Sequence, residues 1–403
     1  MGAGAWSEAG IERLAEVMAG HTGTGAGDVP GLVWLLARRG EVHAGAAGVR
    51  TAEGGEPIAR DEIFRISSMT KPITAVGALI LVEECGLRLD EPVDDLLPEL
   101  ADRRVLADPH GALDDTVPAE RPVSVRDLLT FRLGLGLDFT AWGNQPSLAA
   151  AAELGLGAGP PAPAGPPEPD EWMRRLGTLP LEHQPGERWL YHVGADVLGV
   201  LVARAAGRPL EAFLRERIFD PLGMVDTGFS VPGAGRDRLG PCYWTDLETG
   251  ARTVYDPPDG QWTAPPAFPS GGGGLVSTVD DYLAFATMLR AGGVYHGQRI
   301  LSRPTIEAMT TNQLTAGQLA ASAPSPDGSV GWGLGLGVRV RRTGPAWGVG
   351  TYGWDGGLGS QWATDPDEDL IGLLMTNRSW TSAFPPPPAF QDFWTCAYAA
   401  FDD

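Results

Sequence analysis

Hydrophobic residues follow a helical period close to the start of the chain and an alternating pattern soon afterwards. Residues 7–19 repeat apolar positions every three or four residues behind Ser7, which predicts a capped amphipathic helix. The apolar stripe of this helix consists of Ile11, Leu14, Ala15 and Met18. Residues 31–37 and 41–48 flank an Arg39-Gly40 pair and predict a β-hairpin.

The far end of the chain also shows strand patterns followed by one helix. From residue 331 onward, short apolar runs alternate with glycine and polar residues. They predict strands at 333–341, 346–353, 358–364 and 369–376, and a last helix over about 388–401.

The middle of the chain, residues 88–265, has a different character. Helical patterns such as 124–133, 195–206 and 209–218 recur between prolines and glycines. Residues 155–168 form a glycine- and proline-rich surface loop whose role stays open. We therefore predict an α/β plus all-α architecture, in which 1–87 and 266–403 build one discontinuous α/β domain and 88–265 form an inserted helical domain.

A further helix is predicted from Ser67, as N-cap, to about Cys85, with Gly86 as its stop signal. Its residues are apolar almost all round, which is typical of a buried helix. Within it, Ser68 and Lys71 are three residues apart and therefore share one face of the first turns.

Composition narrows the classes of function. The chain has 403 residues, 43% of them hydrophobic, and a formal net charge of −21, which argues against nucleic acid and anionic membranes as partners. Cys85, Cys242 and Cys396 lie far apart without metal-ligand spacing, so we expect reduced, mostly packed thiols and neither a metal nor a cofactor. The absence of a leader pattern and of a long apolar run predicts a cytoplasmic protein.

Lys71 is the one lysine of the chain; the other 29 of its 30 basic residues are arginines. Arginine can replace lysine as a surface cation but not as a base, because guanidinium keeps its proton at any working pH. Coding bias with a chance survivor is the alternative explanation. The position beside Ser68 favours chemistry, because a serine hydroxyl is a weak nucleophile until a neighbouring base accepts its proton.

Several segments resemble the β-lactamase and penicillin-binding-protein superfamily, in particular its class C β-lactamase-like serine hydrolases. The segment Phe64–Ala75, with Ser68-x-x-Lys71, is similar to that family's nucleophile segment, and Val123–Thr130 to its next helix. Pro185–Tyr191, Asp220–Met224 and Ser270–Leu275 match further segments, so the resemblance spans residues 10–400.

The resemblance implies a fold and a set of roles. The expected fold is β-lactamase-like, with an antiparallel sheet flanked by the terminal helices. Ser68 would be the nucleophile, Lys71 its base and Tyr191 the proton relay. The backbone N–H groups of Ser68 and Gly357 would form the oxyanion hole.

Two motifs depart from the β-lactamase pattern. The family's Tyr-x-Asn reads Tyr191-His192-Val193, and its Lys-Thr-Gly is replaced by Gly353-Trp354-Asp355-Gly356-Gly357. The latter resembles the carboxylesterase branch, in which Trp354, Asp355 and Gly356 would bind substrate; a glycine-rich hairpin turn is the structural alternative. Trp354 offers an apolar wall and Asp355 would repel a carboxylate, which favours neutral, fairly hydrophobic small-molecule esters.

Ester hydrolysis through an acyl-serine intermediate is accordingly the expected activity. An acyltransferase, a D-amino-acid amidase or a weak β-lactamase could use the same site, and a non-catalytic binding module is the alternative from another class. His192 is open between a catalytic base and a histidine at the edge of a helix or strand, which is the more common role. The oligomeric state is not predicted.

Overall fold

The computed structural model describes residues 5–23, 25, 28–140, 144–157, 159–246, 248–249, 251–380 and 386–402. Its α-helices are α1 (Glu8–Gly20), α2 (Thr70–Glu83), α3 (Val125–Leu129), α4 (Pro146–Glu153), α5 (Pro169–Gly177), α6 (Val193–Ala206), α7 (Leu210–Leu214), α8 (Asp220–Leu222), α9 (Val279–Arg290), α10 (Arg303–Met309), α11 (Ala316–Ala321) and α12 (Pro388–Ala399). Its strands are β1 (Gly31–Arg38), β2 (Glu41–Gly48), β3 (Phe64–Arg65), β4 (Arg104–Leu106), β5 (Thr116–Pro118), β6 (Cys242–Thr245), β7 (Arg252–Asp256), β8 (Val276–Ser277), β9 (Val294–Tyr295), β10 (Gln298–Arg299), β11 (Val330–Trp332), β12 (Gly337–Arg339), β13 (Tyr352–Gly356), β14 (Ser360–Asp365) and β15 (Leu370–Thr376).

The main sheet joins strands from both ends of the chain. Within the described residues it has seven strands in the order β11-β12-β13-β14-β15-β1-β2, and every neighbouring pair is antiparallel. The predicted β-lactamase-like α/β architecture with an antiparallel sheet is thereby confirmed, as is the first hairpin. Its turn residues Arg39 and Gly40 both have positive φ, which matches the twist of a tight hairpin.

The two faces of this sheet bury different sets of side chains because successive strand residues point to opposite sides. From β1, Leu32, Trp34 and Leu36 join Phe393 and Trp394 of α12 in a core beneath the terminal helices. Helix α1 supports the same core with Leu14 and Met18, whereas Ala15 of its predicted stripe is exposed. On the opposite face, Val33 and Leu35 join the largest core, which contains α2 and α9.

Helix α2 is the central helix of this larger core, and all its residues from Thr70 to Leu81 are buried, as its uninterrupted apolar pattern predicted. Two predictions about its ends were wrong. Ser67 is not a helix cap but takes a left-handed φ of +47°, where the chain turns sharply from β3 into the helix. The helix ends at Glu83, and Cys85 rather than Gly86 takes the left-handed conformation that follows it.

The strand boundaries near the C-terminus were predicted less well than the strands themselves. The segment 333–341 is not one strand, because residues 333–336 form the connection between β11 and β12. The strand expected at 346–353 begins only at Tyr352 and continues to Gly356. Glycine-rich stretches satisfy strand and turn patterns equally well, which explains both errors.

The middle of the chain contains helices α3 to α8 and two hairpins, β4-β5 and β6-β7, that its sequence pattern did not predict. Helix α6 packs against α2, so the larger core continues from the sheet into this region. The predicted domain boundaries at residues 87 and 265 therefore stay a prediction.

Two findings concern membranes and thiols. No α-helix in the described part of the chain is long and apolar enough to cross a bilayer. The three cysteines are free thiols; Cys242 is buried, Cys396 is half-buried and Cys85 is exposed, so the expected packing holds for Cys242 and only partly for Cys396.

Candidate active site

Ser68 lies in a single turn of 3-10 helix, Ser67–Met69, between strand β3 and helix α2. Strand β3 pairs with β8, which fixes the direction from which the chain arrives. The left-handed Ser67 then reverses the chain, and a non-glycine residue in that region of φ is strained. This strained turn presents the Ser68 side chain at the start of a buried helix.

Lys71 lies directly against Ser68. Its Nζ donates a hydrogen bond to Ser68 Oγ at 2.9 Å and another to the carbonyl oxygen of Gly272. The residue is 1% exposed. Burial lowers the pKa of Lys71 to about 7, although the Asp196 carboxylate opposes that shift. Near neutral pH, a large fraction of this lysine is therefore the free amine, which can accept a proton.

Tyr191 completes a cluster with these two residues. Its hydroxyl interacts with the Ser68 side chain and accepts a hydrogen bond from Trp354 Nε1 at 2.7 Å. The ring centroid is 4.6 Å from Lys71 Nζ. Burial raises the pKa of Tyr191 far above its usual value, so the phenol keeps its proton and can donate it to an oxygen atom.

Aromatic packing and a backbone bridge hold Tyr191 in place. Its ring centroid lies 5.8 Å from that of Phe131 and 5.6 Å from that of Trp354. The backbone of Tyr191 exchanges two hydrogen bonds with Leu137. These contacts hold both the ring and the backbone of Tyr191, so its hydroxyl stays close to Ser68.

The glycine-rich segment Ser270–Leu275 lies against the first turns of α2. Thr74 Oγ1 donates to the carbonyl oxygen of Gly271 at 2.9 Å, and the Leu275 N–H donates to Thr70 Oγ1 at 3.1 Å. A Cβ on Gly271 would lie 2.7 Å from the carbonyl oxygen of Ala195 in α6. Glycine is therefore required for this backbone to lie between two helices, as expected for a tight loop beside the site.

Gly357 directly follows the last residue of β13, a strand that packs against the turn carrying Ser68. Ser360 Oγ donates to the carbonyl oxygen of Ile66 at 3.1 Å, and a Cβ on Gly356 would meet that oxygen at 2.3 Å. The end of β13 and the start of β14 are thus fastened to the residue two positions before Ser68. The structure thereby places Gly356 against the turn that carries Ser68, whereas the roles expected for Gly356 and Gly357 stay predictions.

Trp354 and Asp355 lie on opposite faces of β13. Trp354 faces Tyr191, whereas Asp355 is the cross-strand partner of Gln361 and shares its face of the sheet, where Gln361 Oε1 accepts a hydrogen bond from Trp394 of α12. The structure therefore places the Asp355 side chain toward the terminal helices and not beside Ser68. Its charge still makes a small contribution to the raised pKa of Tyr191.

Sequence reasoning did not identify Asp196 and left His192 open. His192 is buried, with Nδ1 3.3 Å from Lys71 Nζ and Nε2 3.2 Å from Asp196 Oδ2. The available signal was the spacing of four residues between His192, directly before α6, and Asp196, the one charged residue of that helix before Arg204.

A cavity of about 320 Å³ adjoins the cluster. His192 and Asp196 lie on one side of it, and the described residues of the loop 155–168, which exclude position 158, lie on the other. Pro161, Trp172 and Phe268 contribute apolar surface. A Cβ on Gly273 would be 3.4 Å from Pro161 and 3.9 Å from the Ser67 backbone, so the cavity wall reaches the nucleophile turn.

Several known proteins are similar to this chain, and some of them are named as esterases or hydrolases. Protein Rv1367c of Mycobacterium tuberculosis is 39% identical over 360 residues, which cover 87% of this chain and 86% of that protein. Esterase EstB of Burkholderia gladioli is 33% identical over 369 residues, covering 87% and 86%. The solved structure of EstCE1, described as a hydrolase with promiscuous acyltransferase activity, superposes with a TM-score of 0.77 at 24% identity, over 97% of this chain and 98% of that one.

The fold of this chain is that of the β-lactamase-like serine hydrolases. The sequence model of the beta-lactamase family matches residues 12–387, and the chain belongs to that family.

Proposed function

We propose that this protein is a cofactor-independent serine esterase that cleaves carboxylic esters through an acyl-serine intermediate. The observation that carries the proposal is the 2.9 Å hydrogen bond between the buried Lys71 Nζ and Ser68 Oγ, beside the Tyr191 side chain. A nucleophile, a base that is partly neutral near pH 7 and a proton donor are thus close to one another.

In the acylation step, Ser68 Oγ attacks the ester carbonyl carbon while its proton passes to the neutral amine of Lys71. The bond between the acyl carbon and the alkoxy oxygen then breaks. The proton returns from Lys71, with Tyr191 as the relay, to the departing alkoxide. The alcohol leaves, and the acyl group stays on Ser68.

Deacylation repeats these steps with water as the nucleophile. Lys71 is neutral again once the alcohol has left, so it can accept a proton from the attacking water. The Ser68 oxygen is then the leaving group and recovers a proton. Free acid is released, and the enzyme returns to its starting state.

In both steps a negative charge develops on the carbonyl oxygen, and hydrogen-bond donors must stabilise it. We assign this role to the backbone N–H groups of Ser68 and Gly357. Gly357 directly follows β13, and the preceding Gly356 approaches the backbone of the turn that carries Ser68, which supports the assignment. Loss of such a donor typically costs about 3–4 kcal/mol of transition-state stabilisation.

We further propose neutral, fairly apolar esters as substrates. The chain has no second lysine to bind a substrate carboxylate, and Trp354 stands at the corresponding strand position. The apolar cavity of about 320 Å³ is at the lower end of the size range of small-molecule sites. A relative that is named an esterase supports esters as the substrates.

The test is turnover of 4-nitrophenyl butyrate by Ser68→Ala. We expect this variant to lose essentially all activity, because no other group can carry the acyl chain. Ser147→Ala is a matched control, since the Ser147 hydroxyl is buried and has no hydrogen-bond partner among the described residues. Undiminished turnover by Ser68→Ala would overturn the proposal.

Two further assays distinguish the alternative reactions from ester hydrolysis. A faster yield of acylated product than of free acid, when an alcohol or amine acceptor is supplied, would show that the enzyme is an acyltransferase. Nitrocefin tests β-lactamase activity, and we expect slow or no hydrolysis because the chain lacks the second lysine.

A further inference from the structure

Asp196, His192 and Lys71 form a continuous buried chain of polar contacts. Asp196 Oδ2 is 3.2 Å from His192 Nε2, and His192 Nδ1 is 3.3 Å from Lys71 Nζ. The three residues are 5%, 7% and 1% exposed, respectively. The chain ends at Ser68, because Lys71 donates to its hydroxyl.

A strained turn directs His192 toward Lys71. The φ and ψ of His192 are +81° and −66°, and the Val193 N–H donates to the carbonyl oxygen of Tyr191 at 3.2 Å, which makes a γ-turn of the rare positive-φ type. Neighbouring side chains in an extended segment would point apart. Here the turn lets both Tyr191 and His192 reach the same lysine. Strain of this kind is maintained where the surrounding structure requires it.

The hydrogen-bond partners of Asp196 keep its carboxyl group ionised. Burial opposes ionisation, but hydrogen bonds from His192, from Ser270 Oγ at 2.6 Å and from the Gly272 N–H at 2.9 Å outweigh it and keep the pKa of Asp196 below its usual value. The carboxylate is therefore a fixed negative charge one imidazole ring away from the lysine.

His192 can link the two without changing its own charge. Burial and the nearby Lys71 lower the pKa of His192, so the ring is neutral near pH 7. With its proton on Nε2, it donates to Asp196 and offers the Nδ1 lone pair to a Lys71 N–H. When Ser68 gives its proton to Lys71, the resulting ammonium donates a hydrogen bond to this lone pair. The negative charge of Asp196 lies on the other side of the imidazole ring.

We propose that His192 and Asp196 are positioning residues, which hold Lys71 against Ser68 and stabilise the ammonium that it forms during acylation. This inference rests on the proposed esterase function. The titratable groups facing Lys71 from the surrounding elements are Tyr191, His192 and Asp196; of these, only Asp196 carries a negative charge near neutral pH.

The experiment is the pH profile of kcat/KM for 4-nitrophenyl butyrate in Asp196→Asn. Loss of the carboxylate lowers the pKa of Lys71 further, so the acidic limb of the profile moves to lower pH by about one unit or more. The plateau falls at least tenfold, because a less basic amine with an unsupported ammonium accepts the serine proton less readily. His192→Asn, which breaks the link but keeps a polar side chain, is expected to shift the limb in the same direction.

Asp127→Asn is the matched control. Asp127 is also buried and ion-paired, with Arg121, but it caps α3 away from the cluster. It should lower thermal stability without moving the acidic limb. The inference is wrong if Asp196→Asn, like this control, leaves the acidic limb in place. If Asp196→Asn does not fold, an acidic limb that is unchanged in His192→Asn likewise shows that the inference is wrong. Active Ser68→Ala enzyme would instead refute the esterase proposal itself.

Discussion

At the scale of single residues, the chemistry depends on the charge of Lys71. Because burial brings the pKa of Lys71 to about 7, only a small fraction is the neutral base at pH 5, and most of it is at pH 9. We therefore expect kcat/KM of the wild-type enzyme to rise with pH through about 7 and then to level off. Steady-state rates on a neutral ester between pH 5 and 9 check this, and a flat profile would contradict it.

Lys71→Arg tests the same amine without removing its positive charge. Arginine remains protonated across that pH range, so it cannot accept the serine proton. We expect a loss of at least about 10²-fold in kcat, the lower end of what a positioned base contributes. Retention of full activity would exclude Lys71 as the base.

Trp354 supports the reaction through its hydrogen bond to the Tyr191 hydroxyl. Trp354→Phe keeps an aromatic wall but removes the N–H that donates to the Tyr191 hydroxyl. A hydrogen bond of about 1 kcal/mol corresponds to roughly a fivefold loss of kcat. Trp347→Phe is the control, because the Trp347 Nε1 has no hydrogen-bond partner among the described residues and its ring packs against Trp394. Equal kcat values for the two variants would show that the Trp354 N–H has no role.

The residues of the site differed in how far the sequence could identify them. Lys71 stood out as the one lysine, and Tyr191 was identified through a recognisable motif. Asp355 and Trp354 are adjacent in sequence, yet only the strand of β13 shows that their side chains point to opposite faces. His192 joins Lys71 across 121 positions, a contact that no local pattern contains.

At the scale of elements, the loop 155–168 has more contacts than a simple connector. Tyr255 Oη donates to the carbonyl oxygen of Pro161 at 2.7 Å, and the Ala164 N–H donates to Gln261 Oε1 at 3.1 Å. Both contacts fasten the loop to β7 and the residues that follow it. The loop is therefore held as one wall of the apolar cavity.

Tyr255→Phe should loosen this wall without touching the cluster around Ser68. Because apolar contact with the cavity grows with acyl length, we expect the KM of octanoate esters to rise several-fold while that of acetate esters changes little. The measurement is a chain-length series of 4-nitrophenyl esters. A uniform change across the series would mean that the loop does not contact the acyl group.

Element boundaries were harder to predict than element types. Helix α2 was recognised by its apolar residues, but its start depends on the strained Ser67, for which serine gives no local signal. The separation of β11 from β12 depends on Gly335, whose φ of +90° suits only glycine and whose added Cβ would lie 2.3 Å from Ala75. These boundaries are set by packing on α2 and not by propensity.

At the scale of the whole molecule, the two ends of the chain complete one sheet and cover one of its faces. Helix α1 packs against α12, and their shared core contains Phe393, which is fully buried. The larger core on the other face runs from the sheet into α6 and α7. We therefore expect one cooperative unfolding transition, although the sequence predicts two domains.

Phe393→Ala should lower the stability of this whole unit. Removing a buried phenylalanine side chain typically costs about 3–5 kcal/mol. Calorimetry of wild type and variant is the measurement, and the single transition should move to lower temperature without splitting. A second transition that keeps its wild-type temperature would show that residues 88–265 unfold independently.

The most direct test of the central claim is covalent. A fluorophosphonate probe reacts with a serine only if the hydroxyl is activated by a base, so peptide mass analysis after labelling identifies the working nucleophile. We predict one adduct per chain, on Ser68, formed faster at pH 8 than at pH 6 and not formed in Lys71→Arg. A label on another serine, or none on the active wild-type enzyme, would contradict the role assigned to Ser68 and Lys71.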